Sequence, residues 1–152
     1  MQKKILFVCT GNTCRSPMAQ AIATSIFKEE NLDILVASAG IMAFGSHPAS
    51  ANAALAMENL GLNIATHMST QLTADTLQGV QLVLAMTQGH LQAIKSLVPR
   101  ANVYTLAQYA NSTGDIADPY GGSLAIYTQC ATQIHTLLNT AMPKLKEELW
   151  NS

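Results

Sequence analysis

A cysteine, an arginine and a serine stand close together near the start of the sequence, in Cys9-Thr-Gly-Asn-Thr-Cys-Arg-Ser16. The apolar run Ile5–Cys9 precedes this segment and a helix-like stretch follows it, which predicts a strand, a tight loop and a helix start. Helix N-termini leave backbone N–H groups unpaired and carry partial positive charge, so such a loop is suited to an anion. The same N–H groups would stabilise a Cys9 thiolate, and Arg15 would offer a planar cation to two phosphoryl oxygens. We call residues 9–16 the anion loop.

These residue types suit the transfer of a phosphoryl group. A thiolate can attack phosphorus in line and form a cysteinyl-phosphate that water later hydrolyses. The loop N–H groups and Arg15 would stabilise the charge that spreads over the equatorial oxygens. An acid is also needed for the leaving group, and Asp118 is the candidate because Pro119 holds it in extended backbone and helps to aim its carboxyl. Asp115 is the nearest competitor, but no proline follows it.

The pattern Cys9-x5-Arg15-Ser16, set within Cys-x-Gly-Asn-x-Cys-Arg-Ser-Pro near the N-terminus, resembles the phosphate-binding loop of the low-molecular-weight protein tyrosine phosphatases. The resemblance implies that Cys9 is the nucleophile, Arg15 the phosphate clamp and Asp118 the general acid. It implies phosphorylated proteins as substrates and neither a metal nor an organic cofactor. It also implies that the rest of the loop binds substrate, namely Thr10, Gly11, Asn12, Thr13, Cys14 and Ser16.

Further roles follow from the same resemblance. Ser16 matches a hydroxyl that hydrogen-bonds the nucleophile, and Tyr120 matches an aromatic residue at the mouth of the cleft. Asn12 matches the residue that holds the loop in its strained shape, with Ser38 and His67 as its supports. The other histidines are interpreted as structural or solvent-facing, namely His47, His90 and His135.

The three cysteines are an odd number, which argues against a structural disulfide framework. Cys14 is either a small packing residue or a resolving thiol that forms a reversible disulfide with Cys9, and we favour the second interpretation. A thiol reductant would then be a further partner. Cys130 falls on an apolar helix face and is assigned to the core. No histidine stands at a metal-ligand spacing from a cysteine.

Position 13 bears on the substrate. Thr13, together with Asp118-Pro-Tyr-Gly-Gly-Ser123 and the segment Leu82–Thr87, resembles the bacterial protein-arginine phosphatases within the family. A small polar residue at the rim suits a guanidinium leaving group, so phosphoarginine is favoured. Phosphotyrosine is the alternative, because Tyr120 also occurs in tyrosine-directed members.

Two other classes are less favoured. Thioredoxin-coupled arsenate reductases have a similar loop, but they need paired cysteines after the third strand, and no cysteine lies between Cys14 and Cys130. A phosphate-binding module without catalysis would not need both Cys9 and Asp118, and the presence of both argues against this class.

Length and composition indicate the number of domains and exclude several classes of partner. The 152 residues predict one domain, residues 1–152. A net charge of −1 with 11% charged residues gives no basic surface for nucleic acid or anionic lipid. The apolar run after Lys4 is too short for a secretory signal, and no segment is long enough to span a membrane, so we expect a cytoplasmic protein.

Strand-like and helix-like segments alternate along the chain. We predict strands at Lys4–Cys9, Ile34–Ala37, Val80–Met86 and Asn102–Leu106. The first predicted helix follows Ser16 as its cap and the second spans Ala49–Leu60. A short helical turn is predicted over Thr73–Gly79. Two further helices are predicted, one from a Thr87 cap to Val98 and one after a Ser123 cap. The last helix should bury Ile126, Cys130, Ile134, Leu137, Ala141 and Leu145, and should kink at Pro143.

This alternation predicts an α/β fold in three layers, with a mostly parallel, twisted, four-stranded sheet and helices on both faces. Ligands bind such sheets beyond the carboxyl ends of the strands. The anion loop, Ser38-Ala39-Gly40, Thr87 and the long loop from about Ala107 to Ser123 all follow strands and should meet at that edge.

Overall fold

Four parallel strands form the centre of the molecule in the computed structural model, which describes residues 2–151. In chain order they are β1 (Lys3–Cys9), β2 (Ile34–Gly40), β3 (Leu82–Ala85) and β4 (Val103–Thr105). They lie across the sheet in the order β2-β1-β3-β4. The predicted parallel, four-stranded sheet is confirmed, and its two central strands are those that lead into the anion loop and the Thr87 turn.

Helices cover both faces of this sheet. They are α1 (Arg15–Glu29), α2 (Ala51–Glu58), α3 (Gln88–Leu97), α4 (Leu106–Tyr109) and α5 (Leu124–Leu145), with a 3-10 turn at Asp75–Leu77 and a π-helical turn at Lys146–Trp150. Side chains alternate along β1, so Ile5 and Phe7 enter the core with α1, α2 and α5, while Leu6 and Val8 enter a smaller core with Ile94 of α3. The three-layer arrangement is therefore confirmed.

Several predicted helix caps are found in place. Thr87 Oγ1 accepts the His90 N–H at the start of α3, and Ser123 Oγ accepts the Ile126 N–H at the start of α5. Five of the six residues assigned to the buried face of α5 are buried, but Ile126, in the first turn of the helix, is 44% exposed. After Pro143 the α-helix continues to Leu145 and changes to the π-helical turn.

The predicted start of α1 is wrong. The helix begins at Arg15 with Cys14 as its N-cap residue, and Ser16 is its second residue. The Ser16 hydroxyl cannot cap because it hydrogen-bonds the Cys9 sulfur instead. Pro17 nevertheless lies in the first turn, where its missing N–H breaks no helical hydrogen bond.

Other boundaries differ for local reasons. Strand β2 extends to Gly40 because Ser38, Ala39 and Gly40 pair with the end of β1. Helix α2 begins later than predicted, since Ser50 caps it by accepting the Ala53 N–H. The long loop begins later too, because Thr105 forms a capping box with Gln108 that starts the short helix α4.

Candidate active site

The anion loop leaves the end of β1 and turns tightly into α1. Asn12 lies in the left-handed region with φ 58°, a conformation that asparagine tolerates better than most residues. The end of β2 presses against the loop: a Cβ on Gly40 would lie 2.6 Å from the Thr10 carbonyl oxygen and 2.9 Å from the Asn12 nitrogen. None of the described side chains caps the start of α1, so its first N–H groups face the loop without a side-chain acceptor.

The Asn12 side chain holds the loop in this shape. It is fully buried, and its Nδ2 donates to Ser16 Oγ at 2.7 Å and to Ser38 Oγ at 2.9 Å. Its Oδ1 accepts the Thr70 N–H at 2.9 Å. The His67 ring adds a contact of 2.7 Å from Nε2 to the Asn12 carbonyl oxygen. The structure thus places Ser38 and His67 beside Asn12, as the sequence predicts.

The Cys9 sulfur lies 2.9 Å from Ser16 Oγ, and both residues are buried. Because Ser16 Oγ already accepts from Asn12, its own O–H remains to donate. A Cys9 thiolate carries no proton and would accept that hydrogen. The hydrogen bonds therefore run from the Asn12 amide through the Ser16 hydroxyl to the Cys9 sulfur.

Arg15 is 4% exposed and held at several points. One terminal nitrogen donates to the Ile116 carbonyl oxygen at 2.9 Å, and the other lies 3.4 Å from Thr10 Oγ1 and 3.6 Å from Asp118 Oδ2. Its Nε is buried and has no hydrogen-bond partner within residues 2–151. Such a buried, charged donor is costly to leave unpaired.

The loop that carries Asp118 is anchored to the end of β3 and the start of α3. The Ile116 N–H donates to the Met86 carbonyl oxygen at 3.0 Å, and Asp115 Oδ1 accepts the Gln88 N–H at 2.9 Å. Asp115 is therefore used in an anchoring contact, while Asp118 lies nearer to Arg15. The Asp118 side chain is 51% exposed and its Oδ1 accepts the Tyr120 N–H.

A cavity of about 240 Å³ brings the predicted site residues together. It is lined by Cys9, Thr10, Gly11, Thr13, Cys14, Arg15, Asp118 and Tyr120. Asn12, Ser16, Ser38 and His67 lie behind this lining and are buried or half-buried. Tyr120 is 77% exposed at the rim. The cavity combines a thiol, a cation and a carboxyl group, which is the set that thiolate-dependent phosphoryl transfer requires.

Cys14 is buried beside two hydroxyl groups. Its sulfur lies 3.3 Å from the Tyr127 hydroxyl and 3.4 Å from Ser50 Oγ. Burial and the hydrogen bond to Cys14 raise the pKa of Tyr127 to about 12, so this hydroxyl stays protonated. All three cysteines are free, and burial raises the pKa of the Cys130 thiol to about 11, as expected of a core residue.

His90 contacts the anion loop, a contact that was not predicted from the sequence. The ring is 4% exposed, with Nε2 2.8 Å from Thr10 Oγ1 and Nδ1 3.0 Å from Thr87 Oγ1. Burial, with a smaller contribution from Arg15, lowers the pKa of His90 to about 4. Of the two interpretations of His90, structural or solvent-facing, the buried ring supports the structural one, and the ring also contacts a residue that lines the cavity. His47 and His135 are exposed.

A larger groove of about 670 Å³ lies between α1 and the segment 62–70. Ser38 and His67 line it, so the supports of Asn12 separate this groove from the smaller cavity. Cys9, Arg15 and Asp118 are not among its lining residues.

Comparison with known proteins decides the family. The model of the low molecular weight phosphotyrosine protein phosphatases matches residues 4–151. The chain belongs to this family. It is a cysteine-dependent protein phosphatase, and its enzyme class and α/β fold are as the sequence predicts. No helix within residues 2–151 is both long and apolar enough to cross a membrane.

The similar proteins include both arginine phosphatases and tyrosine phosphatases. A protein-arginine-phosphatase of Bacillus subtilis is 43% identical over 149 residues, which are 95% of this chain and 97% of that protein. A low molecular weight protein-tyrosine-phosphatase of Staphylococcus epidermidis is 36% identical, over 90% of this chain and 94% of that one. The solved structure of a YwlE arginine phosphatase mutant with a phosphorylated active site serine superposes with a TM-score of 0.90 at 40% identity, covering 95% of this chain and 97% of that chain.

Proposed function

We propose that this phosphatase hydrolyses phosphoarginine in proteins through a cysteinyl-phosphate intermediate. The unpaired, buried Nε of Arg15, in a cavity shared with Cys9 and Asp118, carries the proposal. A phosphoryl oxygen would satisfy this N–H by a charge-assisted hydrogen bond. The other two guanidinium nitrogens are already held, so the cation is oriented before the substrate arrives.

In the first step the Cys9 thiolate forms a bond to phosphorus, and the bond from phosphorus to the arginine nitrogen breaks. Asp118 gives its proton to that nitrogen, so the side chain leaves as an intact guanidinium. In the second step water attacks phosphorus while Asp118 takes a proton from it. The sulfur–phosphorus bond then breaks, and phosphate and the Cys9 thiolate are released, with the Ser16 hydroxyl stabilising the thiolate.

Two features favour phosphoarginine. Thr13 and Asp118 both line the cavity, and Asp118 is exposed enough to pair with a guanidinium at the mouth. The relative named a protein-arginine-phosphatase is 43% identical, against 36% for the tyrosine phosphatase. Phosphotyrosine is the second candidate, because the exposed Tyr120 ring at the rim could pack against a substrate ring.

The mechanism is tested with para-nitrophenyl phosphate and a phosphoarginine peptide. Cys9→Ser should abolish turnover of both substrates. Asp118→Asn should lower kcat by roughly 10²-fold or more on the peptide, since a general acid contributes about 10²–10⁴-fold. Its effect on para-nitrophenyl phosphate should be smaller, because that leaving group needs little protonation. Equal effects on the two substrates, or turnover by Cys9→Ser, would contradict the mechanism.

The substrate is tested by measuring kcat/KM for a phosphoarginine peptide and a phosphotyrosine peptide of the same sequence. We expect phosphoarginine to be preferred by the wild-type protein and Thr13→Ile to shift the preference toward phosphotyrosine. Thr13→Val is the matched control, because it removes the hydroxyl and keeps the shape of the side chain. A wild-type preference for phosphotyrosine that Thr13→Ile leaves unchanged would assign the second candidate instead.

A further inference from the structure

The first turn of α3 contacts both loops that line the cavity. Its cap, Thr87, binds the His90 ring, and that ring reaches Thr10 of the anion loop. The neighbouring Gln88 N–H binds Asp115 of the loop that carries Asp118. One short segment, 87–90, therefore ties the nucleophile side of the cavity to the acid side.

The hydrogens between Thr87 and Arg15 admit two arrangements. Arg15 has no acceptor atom, so it must donate to Thr10 Oγ1. If His90 carries its proton on Nε2, Thr10 accepts from both Arg15 and His90, and the Thr87 hydroxyl donates to Nδ1. If the proton is on Nδ1, the Thr10 hydroxyl donates to Nε2 and Nδ1–H donates to the Thr87 oxygen. The Thr87 hydroxyl hydrogen then has no acceptor within residues 2–151.

In the first arrangement the Thr87 hydroxyl is used both as a donor, to Nδ1 of His90, and as an acceptor, from the His90 backbone N–H. It leaves the Thr10 O–H without an acceptor in the described part of the chain, and the Thr10 side chain lines the cavity with Cys9 and Arg15. Two donors on the Thr10 oxygen polarise that hydroxyl and make it a stronger donor. An anion in the cavity would accept it.

We propose that His90 is a positioning residue of this phosphatase: when a phosphoryl group is bound, His90 Nε2–H donates to Thr10, and the Thr10 hydroxyl donates to a phosphoryl oxygen. The inference rests on the proposed function, since it assigns a further contact to the same bound group. Thr10 then contributes a side-chain hydrogen bond in addition to its backbone.

The surroundings of His90 keep the ring neutral, which this role requires. A protonated ring would place a second cation beside Arg15, and burial disfavours the charged form further. The charged groups that act on it are Arg15 of α1 and, in the opposite sense, Asp115 and Asp118 of the neighbouring loop. The lowered pKa of His90, about 4, keeps the neutral form through the neutral pH range.

Kinetics test the contact first. With para-nitrophenyl phosphate, Thr10→Val should lower kcat/KM by about tenfold or more, because a hydrogen bond to a charged group is lost. Thr10→Ser, which keeps the hydroxyl, should recover most of that loss. His90→Leu should have an effect similar to that of Thr10→Val, and His90→Gln should recover part of it. His135→Leu, which changes an exposed histidine of α5, is the matched control and should leave turnover unchanged.

The double variant separates positioning from a structural role. If His90 acts through the Thr10 hydroxyl, Thr10→Val with His90→Leu should be no slower than Thr10→Val alone. A further loss as large as that of His90→Leu alone would overturn the inference. Thermal unfolding of every variant shows whether stability changes, and the Ser and Gln variants keep the comparison valid if Val or Leu prevents folding.

The ring proton can also be observed directly. Two-bond ¹H–¹⁵N spectra of the histidines distinguish the two neutral forms, and inorganic phosphate is the probe, so no turnover is needed. We expect a proton on Nε2 of His90 in the phosphate-saturated protein. A proton on Nδ1 of His90 in the phosphate-saturated protein would overturn the proposal. Failure of the proposed function is separate, because it would appear as wild-type inactivity or as turnover by Cys9→Ser.

Discussion

Replacing Asn12 by alanine should destabilise the whole fold, although the residue lies in a loop. Three hydrogen bonds of the Asn12 side chain would be lost, two buried ones to Ser16 and Ser38 and a partly buried one to Thr70. At about 1 kcal/mol each they amount to roughly 3 kcal/mol. Alanine is also strained at the φ of 58°, which adds about 1 kcal/mol. We expect a total loss of about 4 kcal/mol in the free energy of unfolding, which is a shift of roughly 8–16 °C in Tm for a chain of this size.

The assay is urea unfolding followed by circular dichroism at constant protein concentration and pH. Ser38→Ala is the companion variant, because it removes one bond to Asn12 and one to Gln20. It should cost about 2 kcal/mol in the wild-type protein and about 1 kcal/mol in the Asn12→Ala background, since the bond to Asn12 is already gone there.

Two results would refute this reasoning. One is a loss of less than about 1 kcal/mol for Asn12→Ala, which would mean that water replaces the network without penalty. The other is an equal cost of Ser38→Ala in both backgrounds, which would mean that the two side chains are not coupled.

Three further predictions follow from contacts around the cavity. Gly40→Ala should lower both stability and kcat/KM, because its Cβ would lie 2.6 Å from the Thr10 carbonyl oxygen. Gly61→Ala is the control without a clash, since none of the described atoms lies within 4 Å of its new Cβ, and equal activity of the two variants would contradict the prediction. Stability should fall as the pH is lowered from about 6.5 to about 4, because His90 takes up its proton in the unfolded chain near 6.5 but in the folded protein only near 4. Urea unfolding of His90→Gln across this range should show a smaller fall in the free energy of unfolding. Dilute peroxide should inactivate the wild-type protein reversibly, because the Cys9 sulfenic acid that forms condenses with the Cys14 thiol and releases water, and dithiothreitol should then restore activity. The Cys14→Ser variant should lose activity beyond recovery. Equal recovery of the two proteins would show that Cys14 only packs against Tyr127.

The sequence predicted those parts of the site that lie within one continuous segment. Cys9, Ser16 and Arg15 share one loop, so their order already indicates a nucleophile and a cation at a helix start. Caps such as Thr87 and Ser123 were predictable for the same reason, since each binds an N–H three residues further on.

Contacts between distant segments were harder to predict. The boundary of α1 was misplaced because the Ser16 hydroxyl binds Cys9, a preference that depends on the folded loop. The contact between His90 and Thr10 exists because β3 lies next to β1, and strand order cannot be read from alternation alone. A signal was nevertheless present: a histidine three residues after a helix cap, following a buried strand, lies at the edge where ligands bind. The Thr105-x-x-Gln108 capping box was another local signal that the prediction missed.

The rim of the cavity is built differently from its floor. Asn12 and Arg15 are buried and bound to distant segments, whereas Tyr120 is 77% exposed. Among the described residues, the Thr13 hydroxyl has only a 3.8 Å contact with the Cys14 sulfur. Substitutions at the rim therefore change little of the free energy of unfolding, while those in the floor change much of it. Under the proposed function, single changes at positions 13 and 120 would alter the substrate and leave the buried residues of the cavity unchanged. Selection for a new substrate would act on the rim without first requiring a compensating mutation elsewhere.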